Sequence, residues 1–264
     1  MPNHGQDMVT VCPPRLDRTA FGQLDQALIA PHAPYARDWL LARFQEGLQI
    51  RLLRPPMQGL VVFQPGKLAW RPILGVDTAI VVQDLRVADG PGRREAAARL
   101  WQAVADFAHY FGYRMVVALI GPGPGVIAPA HAPGRGWLRC ALGPQDVQLV
   151  ARVVQGPVSL PALPQDWAAR AARLGPGLVI QTSGESAPLE ARARGMVSAL
   201  APRGLAIRHV TAANGAAVRA TAVAPGAAYA VSCDGRYLGG PELEVDDLLR
   251  AALGQVGVGV QSPA

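Results

Sequence analysis

Residues 78–101 read TAIVVQDLRVADGPGRREAAARLW, and the fold class follows from this segment. Its first ten residues are rich in β-branched side chains and predict a strand over 78–87. After the glycine-containing DGPGRRE, apolar residues recur every three or four positions, which predicts an amphipathic helix over 93–111. A buried strand is predicted next, over 114–120. The stretch is therefore a βαβ-like unit, and the fold class is α/β.

The loop between this strand and this helix is a candidate anion site. A strand that leads through glycines into a helix N-terminus gathers free backbone N–H groups, and a pyrophosphate can bind to them. The alternative is an ordinary βα turn that happens to contain glycines. The motif alone does not separate these two interpretations.

Composition describes a globular chain of 264 residues, with 50% hydrophobic and 17% charged residues. The formal net charge is +6, but Lys67 is the only lysine, and Asn3 and Asn214 are the only asparagines. That pattern is typical of a coding bias towards arginine. No basic run is interleaved with aromatic residues, so a nucleic-acid partner is not favoured, although a basic nucleic-acid-associated protein stays an alternative.

The cysteines and histidines indicate the cellular compartment and whether a metal site is to be expected. The three cysteines are far apart and form no CxxC pair, and the histidines show no metal-ligand spacing, so we expect no metal site. No apolar run follows the N-terminus, and prolines interrupt the apolar stretch 115–134. We therefore expect a cytoplasmic protein with no membrane segment.

The rest of the chain divides into two parts. Pro157, Pro161 and Pro164 predict a linker, so we expect domains at 1–156 and 177–264 joined by a Pro-rich linker and short helix over 157–176. The second part predicts the element order βαβαββα, an order that the thioredoxin-like fold uses. In the first part, helices are predicted at 17–29 and 35–47, strands at 48–53 and 59–63, and a hairpin at 137–142 and 147–154.

The first part resembles a known family. The phrases DWLLARFQEGLQIRLL and QGLVVFQPGKLAWRPI, together with the strand and helix quoted above, resemble the GNAT acyltransferases, in the branch that carries a YoaP-type C-terminal domain. The resemblance covers about residues 9–154, and the second part fits the thioredoxin-like YoaP domain in position and length. It implies a GNAT-like domain followed by a thioredoxin-like domain, acetyl-CoA as acyl donor, and a small-molecule or peptide amine as acceptor.

The resemblance also implies a cofactor site. The pantetheine would pair with the end of the strand, and the pyrophosphate would lie over the following loop. The residues concerned are Leu85, Arg86 and Val87, and then Gly92, Arg93, Arg94, Glu95 and Ala96. The family's loop reads Gln/Arg-x-x-Gly-x-Gly/Ala, and this chain departs from it with Asp89 at the first position and Arg94 at the second glycine. Arg93 and Arg94 could instead contact phosphate with their side chains.

For catalysis, the usual arrangement in this family is a carboxylate on the central strand, which makes Asp84 the candidate general base and Glu46 the second choice. The alternative for Asp84 is a hydrogen-bonded or exposed strand residue. No tyrosine follows the strand that ends at Ile120, so Tyr113 and His131 are the nearest substitutes for a general acid. Strand alternation predicts Asp84 and Arg86 on one face, and Gln83, Leu85 and Val87 on the other, with Asp84 directed to a helix-free side.

The second part lacks the residue for redox chemistry. Its first strand leads into QTSGESAP, where thioredoxin-like domains commonly place a cysteine, so we expect no disulfide exchange. Cys233 is expected to be a small buried apolar residue. Because the cofactor loop, the acid and this thiol are all altered, a catalytically degenerate GNAT-fold protein that binds a ligand or partner is a second interpretation. The sequence names neither the acceptor nor an oligomeric state.

Overall fold

The computed structural model describes residues 8–28 and 33–254. The first part is a seven-stranded sheet in the order β1-β2-β3-β4-β5-β7-β6, in which β4 and β5 are parallel and the other neighbouring pairs are antiparallel. Its elements are β1 (Met8–Val11), α1 (Phe21–Ala27), α2 (Arg37–Gln45), β2 (Gln49–Leu53), β3 (Gly59–Pro65), β4 (Ala79–Val87), α3 (Arg93–Tyr110), β5 (Met115–Ile120), β6 (Leu138–Leu142) and β7 (Gln148–Val153).

Helices cover both faces of this sheet. Leu100 and Val104 of α3 belong to one buried core with Phe63 of β3, and Phe21 of α1 and Leu40 of α2 belong to a second core on the opposite face. The predicted β4–α3–β5 unit is confirmed to within a residue at each end. The side that faces α1 and α2 is therefore not helix-free, and that expectation is wrong.

The N-terminal region differs most from its prediction. Strand β1, which pairs with β2, was not predicted. The first helix begins at Phe21 rather than near Asp17. The Asp17 carboxylate does not cap this helix and forms an ion pair with Arg37 at 2.8 Å. The end of the second helix is as predicted, with Gly47 at a φ of 84° just beyond it.

The second part is a four-stranded sheet in the order β11-β10-β8-β9, with β8 and β9 parallel and the other pairs antiparallel. Its elements are β8 (Leu178–Thr182), α5 (Ala187–Leu200), β9 (Ile207–Thr211), α6 (Gly215–Thr221), β10 (Tyr229–Cys233), β11 (Arg236–Gly239) and α7 (Val245–Ala252). Ser186 and Asn214 cap α5 and α6 with their side-chain oxygens. The predicted order βαβαββα is confirmed, and the thioredoxin-like assignment stays a prediction.

The connecting segment packs against the first part. It contains α4 (Trp167–Ala172), as the sequence predicts, but Leu163 is buried in one core with Ile73 and Met115. Ala162 also forms a β-bridge with Leu74. The prolines therefore mark an ordered connection that lies along the first sheet.

Candidate active site

Strand β4 carries one extra residue, Gln83. Asp84 lies opposite Val62 of β3, while Val82 lies opposite Phe63, so the register shifts by one residue. Val82 and Leu85 both pack in the α3 core. Val82 and Leu85 thus point to the same face with two residues between them instead of one. Those two residues, Gln83 and Asp84, both lie on the opposite face, which packs against α1 and α2. The prediction that Gln83 shares a face with Leu85 is therefore wrong.

At this bulge, β4 separates from β5. The two strands pair from Ala79 opposite Met115 to Val82 opposite Ala118, and the pairing stops there. The Ala88 N–H donates to the Gln58 carbonyl at 2.9 Å, on the β3 side.

Along an antiparallel strand, the backbone N–H and C=O groups of successive residues point alternately to the two neighbouring strands. Since those of Ala88 point to β3, those of Leu85 and Val87 point away from β3, into the gap. Both residues are buried, and within the described residues no strand pairs with this edge of β4 beyond Val82. Buried backbone N–H and C=O groups are nearly always paired, so this edge of β4 is available to a ligand.

The opposite wall of the gap is formed by the loop after β5. The Ile127 N–H donates to the Leu119 carbonyl at 2.9 Å, and the Gly121 N–H donates to the Ile127 carbonyl at 3.0 Å. Strand β7 pairs with the other edge of β5 as far as Ile120. Ile127 therefore takes the edge of β5 that β4 leaves free, and it is buried in the same core as Val87.

This loop brings His131 to the end of β4. The indole Nε1 of Trp101 on α3 donates to the His131 carbonyl at 3.0 Å and fixes the turn over α3. Burial lowers the pKa of His131, and the nearby Arg93 cation lowers it further, while Asp84 and Asp89 act in the opposite direction. The imidazole is therefore neutral at pH 7, and its buried Nδ1 has no hydrogen-bond partner in the described structure.

The start of α3 has the form of an anion site. Gly92 adopts a φ of 91° immediately before the helix, a conformation that favours glycine. Ala96 is buried and its N–H already donates to the Gly92 carbonyl at 2.9 Å. The amides of Arg94 and Glu95 have no partner among the described residues, so these two amides, rather than that of Ala96, are free at the helix N-terminus.

Two arginine side chains flank these amides. Arg93 forms an ion pair with Asp89 at 2.8 Å, so the acidic residue that departs from the family's loop is held by its neighbour. Arg94 is exposed and has no partner within the described structure. The hollow that they line is shallow, and its walls are Asp89, Gly90, Gly92, Arg93, Arg94 and Glu95.

On the other face of β4, Asp84 belongs to a buried ion-pair network. Its side chain is buried, and its Oδ2 accepts from Arg86 Nε at 2.8 Å and from the Tyr35 hydroxyl at 3.3 Å. Arg86 also donates to the carbonyls of Asp25 and Leu28 and forms an ion pair with the Asp25 carboxylate.

Two consequences follow from this network. The guanidinium of Arg86 makes four hydrogen bonds within this network, and the Arg86 backbone is on the β3 side. Neither the side chain nor the backbone of Arg86 is therefore directed into the gap, contrary to its predicted cofactor role. Burial raises the pKa of Tyr35 well above its ordinary value, and the Asp84 carboxylate adds to that effect, so the phenol stays protonated.

The structure does not bring Glu46 or Tyr113 to this region. Glu46 lies in the turn before β2 and forms an ion pair with Arg43 at 3.1 Å. Tyr113 lies in the turn before β5, at the edge of the sheet where β4 begins, and its N–H donates to the Ala108 carbonyl. Of the two substitutes for a general acid, only His131 lies at the end of β4 where the strands separate.

The loop QTSGESAP of the second part is packed against the first part. The Glu185 carboxylate accepts two hydrogen bonds from Arg71, at 2.8 and 3.1 Å, and the Ala36 N–H donates to the Glu185 carbonyl at 2.8 Å. Arg71 in turn donates to the Gln83 carbonyl at 3.0 Å, at the β4 bulge. Neither the bulge nor this contact was predicted; the adjacent polar pair Gln83 and Asp84 inside an apolar strand is the signal that could have revealed the bulge.

Two further features are absent from the described part of the chain. Residues 8–28 and 33–254 contain no group of three or more His, Cys, Asp or Glu side chains that could hold a metal ion. Over the same residues, every helix is too short or too polar to cross a membrane.

Comparison with known proteins gives similarity to solved structures alone. No protein-family model and no curated protein matches the chain. The ribosomal-protein-alanine N-acetyltransferase from Brucella melitensis is 16% identical, with a TM-score of 0.38, over 55% of this chain and 98% of that one. The ribosomal-protein-S18-alanine N-acetyltransferase from Escherichia coli is 12% identical, with a TM-score of 0.38, over 57% of this chain and 94% of that one. A GNAT superfamily phosphinothricin acetyltransferase from Sinorhizobium meliloti, solved in complex with AcCoA, is 13% identical, with a TM-score of 0.38, over 60% of this chain and 95% of that one.

Proposed function

We propose that this chain is an N-acyltransferase that uses acetyl-CoA as acyl donor and a small-molecule or peptide amine as acceptor. The observation that carries the proposal is the unpaired, buried backbone edge of Leu85 and Val87, which lies beside the free amides at the start of α3. An extended chain with its own amide groups can pair with such an edge, and a diphosphate can bind at such a helix N-terminus. The pantetheine and pyrophosphate of acetyl-CoA combine both features.

The residues that would hold acetyl-CoA follow from this arrangement. The backbones of Leu85 and Val87 would pair with the pantetheine amides, and the amides of Arg94 and Glu95 would bind phosphate oxygens. The Arg94 side chain is free to add a charge-assisted contact. When bound, the cofactor supplies an acyl carbon that is activated as a thioester.

The acceptor amine must lose a proton, and His131 is the group best placed to take it. Its Nδ1 is buried, has no partner in the described structure, and lies on the turn over the end of β4. A neutral imidazole can accept a proton at pH 7. Asp84, the first choice from the sequence, is instead held in a buried ion pair with Arg86 and accepts a hydrogen bond from the Tyr35 hydroxyl, on the other face of β4.

A specific observation favours a second candidate, a non-catalytic protein that keeps the fold for ligand binding. Ile127 occupies the free edge of β5, so the gap beside Leu85 and Val87 is walled by the chain itself. Entry of an acyl-CoA then requires the segment 126–131 to move. Under this candidate the loop is a permanent part of the core, and Asp84 is a structural ion-pair residue.

Two measurements on the full chain separate these candidates. Titration calorimetry with acetyl-CoA measures binding, and release of CoA thiol in the presence of a panel of primary amines measures turnover. Binding with turnover that falls about 10²–10⁴-fold in His131→Gln supports the acyltransferase. Binding with no turnover on any amine supports the second candidate. Absence of binding contradicts both the cofactor and the enzyme assignment.

A further inference from the structure

A pocket of about 700 Å³ lies beside α1, on a different part of the chain from the gap described above. Apolar side chains form its floor, among them Leu24, Leu52 and Val9, while polar and charged residues form its rim. The remaining lining residues are Arg15, Arg18, Thr19, Ala20, Gln23, Ala27, Leu53, Arg54, Pro55 and Gln58. Its volume falls in the range of small-molecule sites, about 300–1,000 Å³.

Three arginines on the rim of this pocket have no ion-pair partner among the residues that the structure describes. Arg15, Arg18 and Arg54 are exposed, and none contacts a carboxylate of the described residues. The two acidic residues closest in sequence are already engaged: Asp17 pairs with Arg37, and Asp25 pairs with Arg86. The positive charge at the rim is therefore not compensated by the neighbouring acids.

From this combination we infer that the pocket binds an anionic amphiphile, a small molecule with an apolar body and one carboxylate or phosphate headgroup. The apolar body would displace water from the floor formed by Leu24, Leu52 and Val9, and the headgroup would pair with the rim arginines. Guanidinium groups suit both headgroups because their donors match two oxygens at once. The inference does not depend on acyl transfer.

The test uses three probes with one alkyl chain and different heads: octanoate, octyl phosphate and octylammonium, each below its micelle concentration. We expect both anions to bind the full chain in calorimetry and the cation not to bind. A preference between the two anions identifies the headgroup, and either preference supports the inference. Equal binding of octylammonium, or no binding of either anion, overturns it.

Variants locate the site. The triple variant Arg15→Gln, Arg18→Gln, Arg54→Gln should weaken anion binding at least about tenfold. Ala27→Phe, at an exposed position that lines the pocket, should block it without disturbing the core. The matched controls are the triple variant Arg139→Gln, Arg194→Gln, Arg203→Gln and the variant Ala191→Phe, all at exposed positions outside the pocket. Unchanged affinity in the pocket variants, or equal loss in the controls, places binding elsewhere and overturns the inference.

Discussion

Arg71 and Glu185, 114 positions apart in sequence, form a two-bond ion pair that joins the two parts of the molecule, with exposures of only 1% and 0%. The pair lies directly behind the β4 bulge, since Arg71 also donates to the Gln83 carbonyl. The loop between β8 and α5 thus supplies a carboxylate to Arg71, and Arg71 in turn contacts the central strand of the first sheet.

Removing one partner of this pair should be strongly destabilising. Glu185→Gln leaves the Arg71 guanidinium buried without a countercharge, and we expect a loss of about 3–5 kcal/mol in the free energy of unfolding. Denaturant unfolding measures it. The double variant Arg71→Met, Glu185→Leu is the control, and it should cost clearly less because no charge is left buried. A single variant that unfolds like the wild type would contradict the buried ion pair.

His131 should make stability depend on pH. Because its pKa is lowered in the folded state from an ordinary value of 6.5, the unfolded chain binds a proton more readily. Its contribution is complete above pH 6.5 and is lost as the pH falls from there through the folded pKa. Melting temperatures from pH 7.5 to 5 should fall less steeply in His131→Gln than in the wild type. Parallel curves would show that His131 is not held in its neutral form.

Weakening the loop beside the gap should help acetyl-CoA to enter. Ile127→Ala removes buried contacts, at a cost to stability of about 2–5 kcal/mol, and lowers the cost of moving the segment 126–131. We expect acetyl-CoA to bind about tenfold more tightly, as measured by calorimetry at a temperature where the variant is folded. Weaker binding would mean that Ile127 is part of the binding wall and need not move.

The second part should show no redox turnover. Its loop carries Gly184, Glu185 and Ser186, and Cys233 is buried on β10. Burial raises the pKa of the Cys233 thiol, and Asp234 raises it further, so the reactive thiolate is scarce at pH 7. Insulin reduction by the full chain should stay at background. Activity that persists in Cys233→Ser would contradict this reading of the loop.

The sequence predicted features that depend on local patterns. Periodicity located β4, α3 and β5 almost to the residue, and the order of elements in the second part followed from the same signals. The features that it missed are non-local. Strand β1 is short and forms through pairing with β2, and the bulge at Gln83 is visible only once the partners of β4 are known.

The same difference between local and non-local features explains why only part of the candidate site was predicted. Gly92 and the free start of α3 are encoded within a few residues and lie as expected. The roles proposed for Asp84 and Arg86 depended on what faces them, and their partners Tyr35 and Asp25 come from a distant part of the chain. His131 reaches the end of β4 only because the loop after β5 folds back.

The proposed acetyl-CoA site is tested by measuring the affinity for acetyl-CoA of the wild type and of the double variant Arg93→Ala, Arg94→Ala. The control is the double variant Arg194→Ala, Arg203→Ala, at exposed positions on the second part. If acetyl-CoA binds at the start of α3, the first pair should lose about 1.5–3 kcal/mol for each charge-assisted contact removed, while the control pair binds as the wild type does. No binding to the wild type, or equal affinity in all three proteins, would contradict the proposed site.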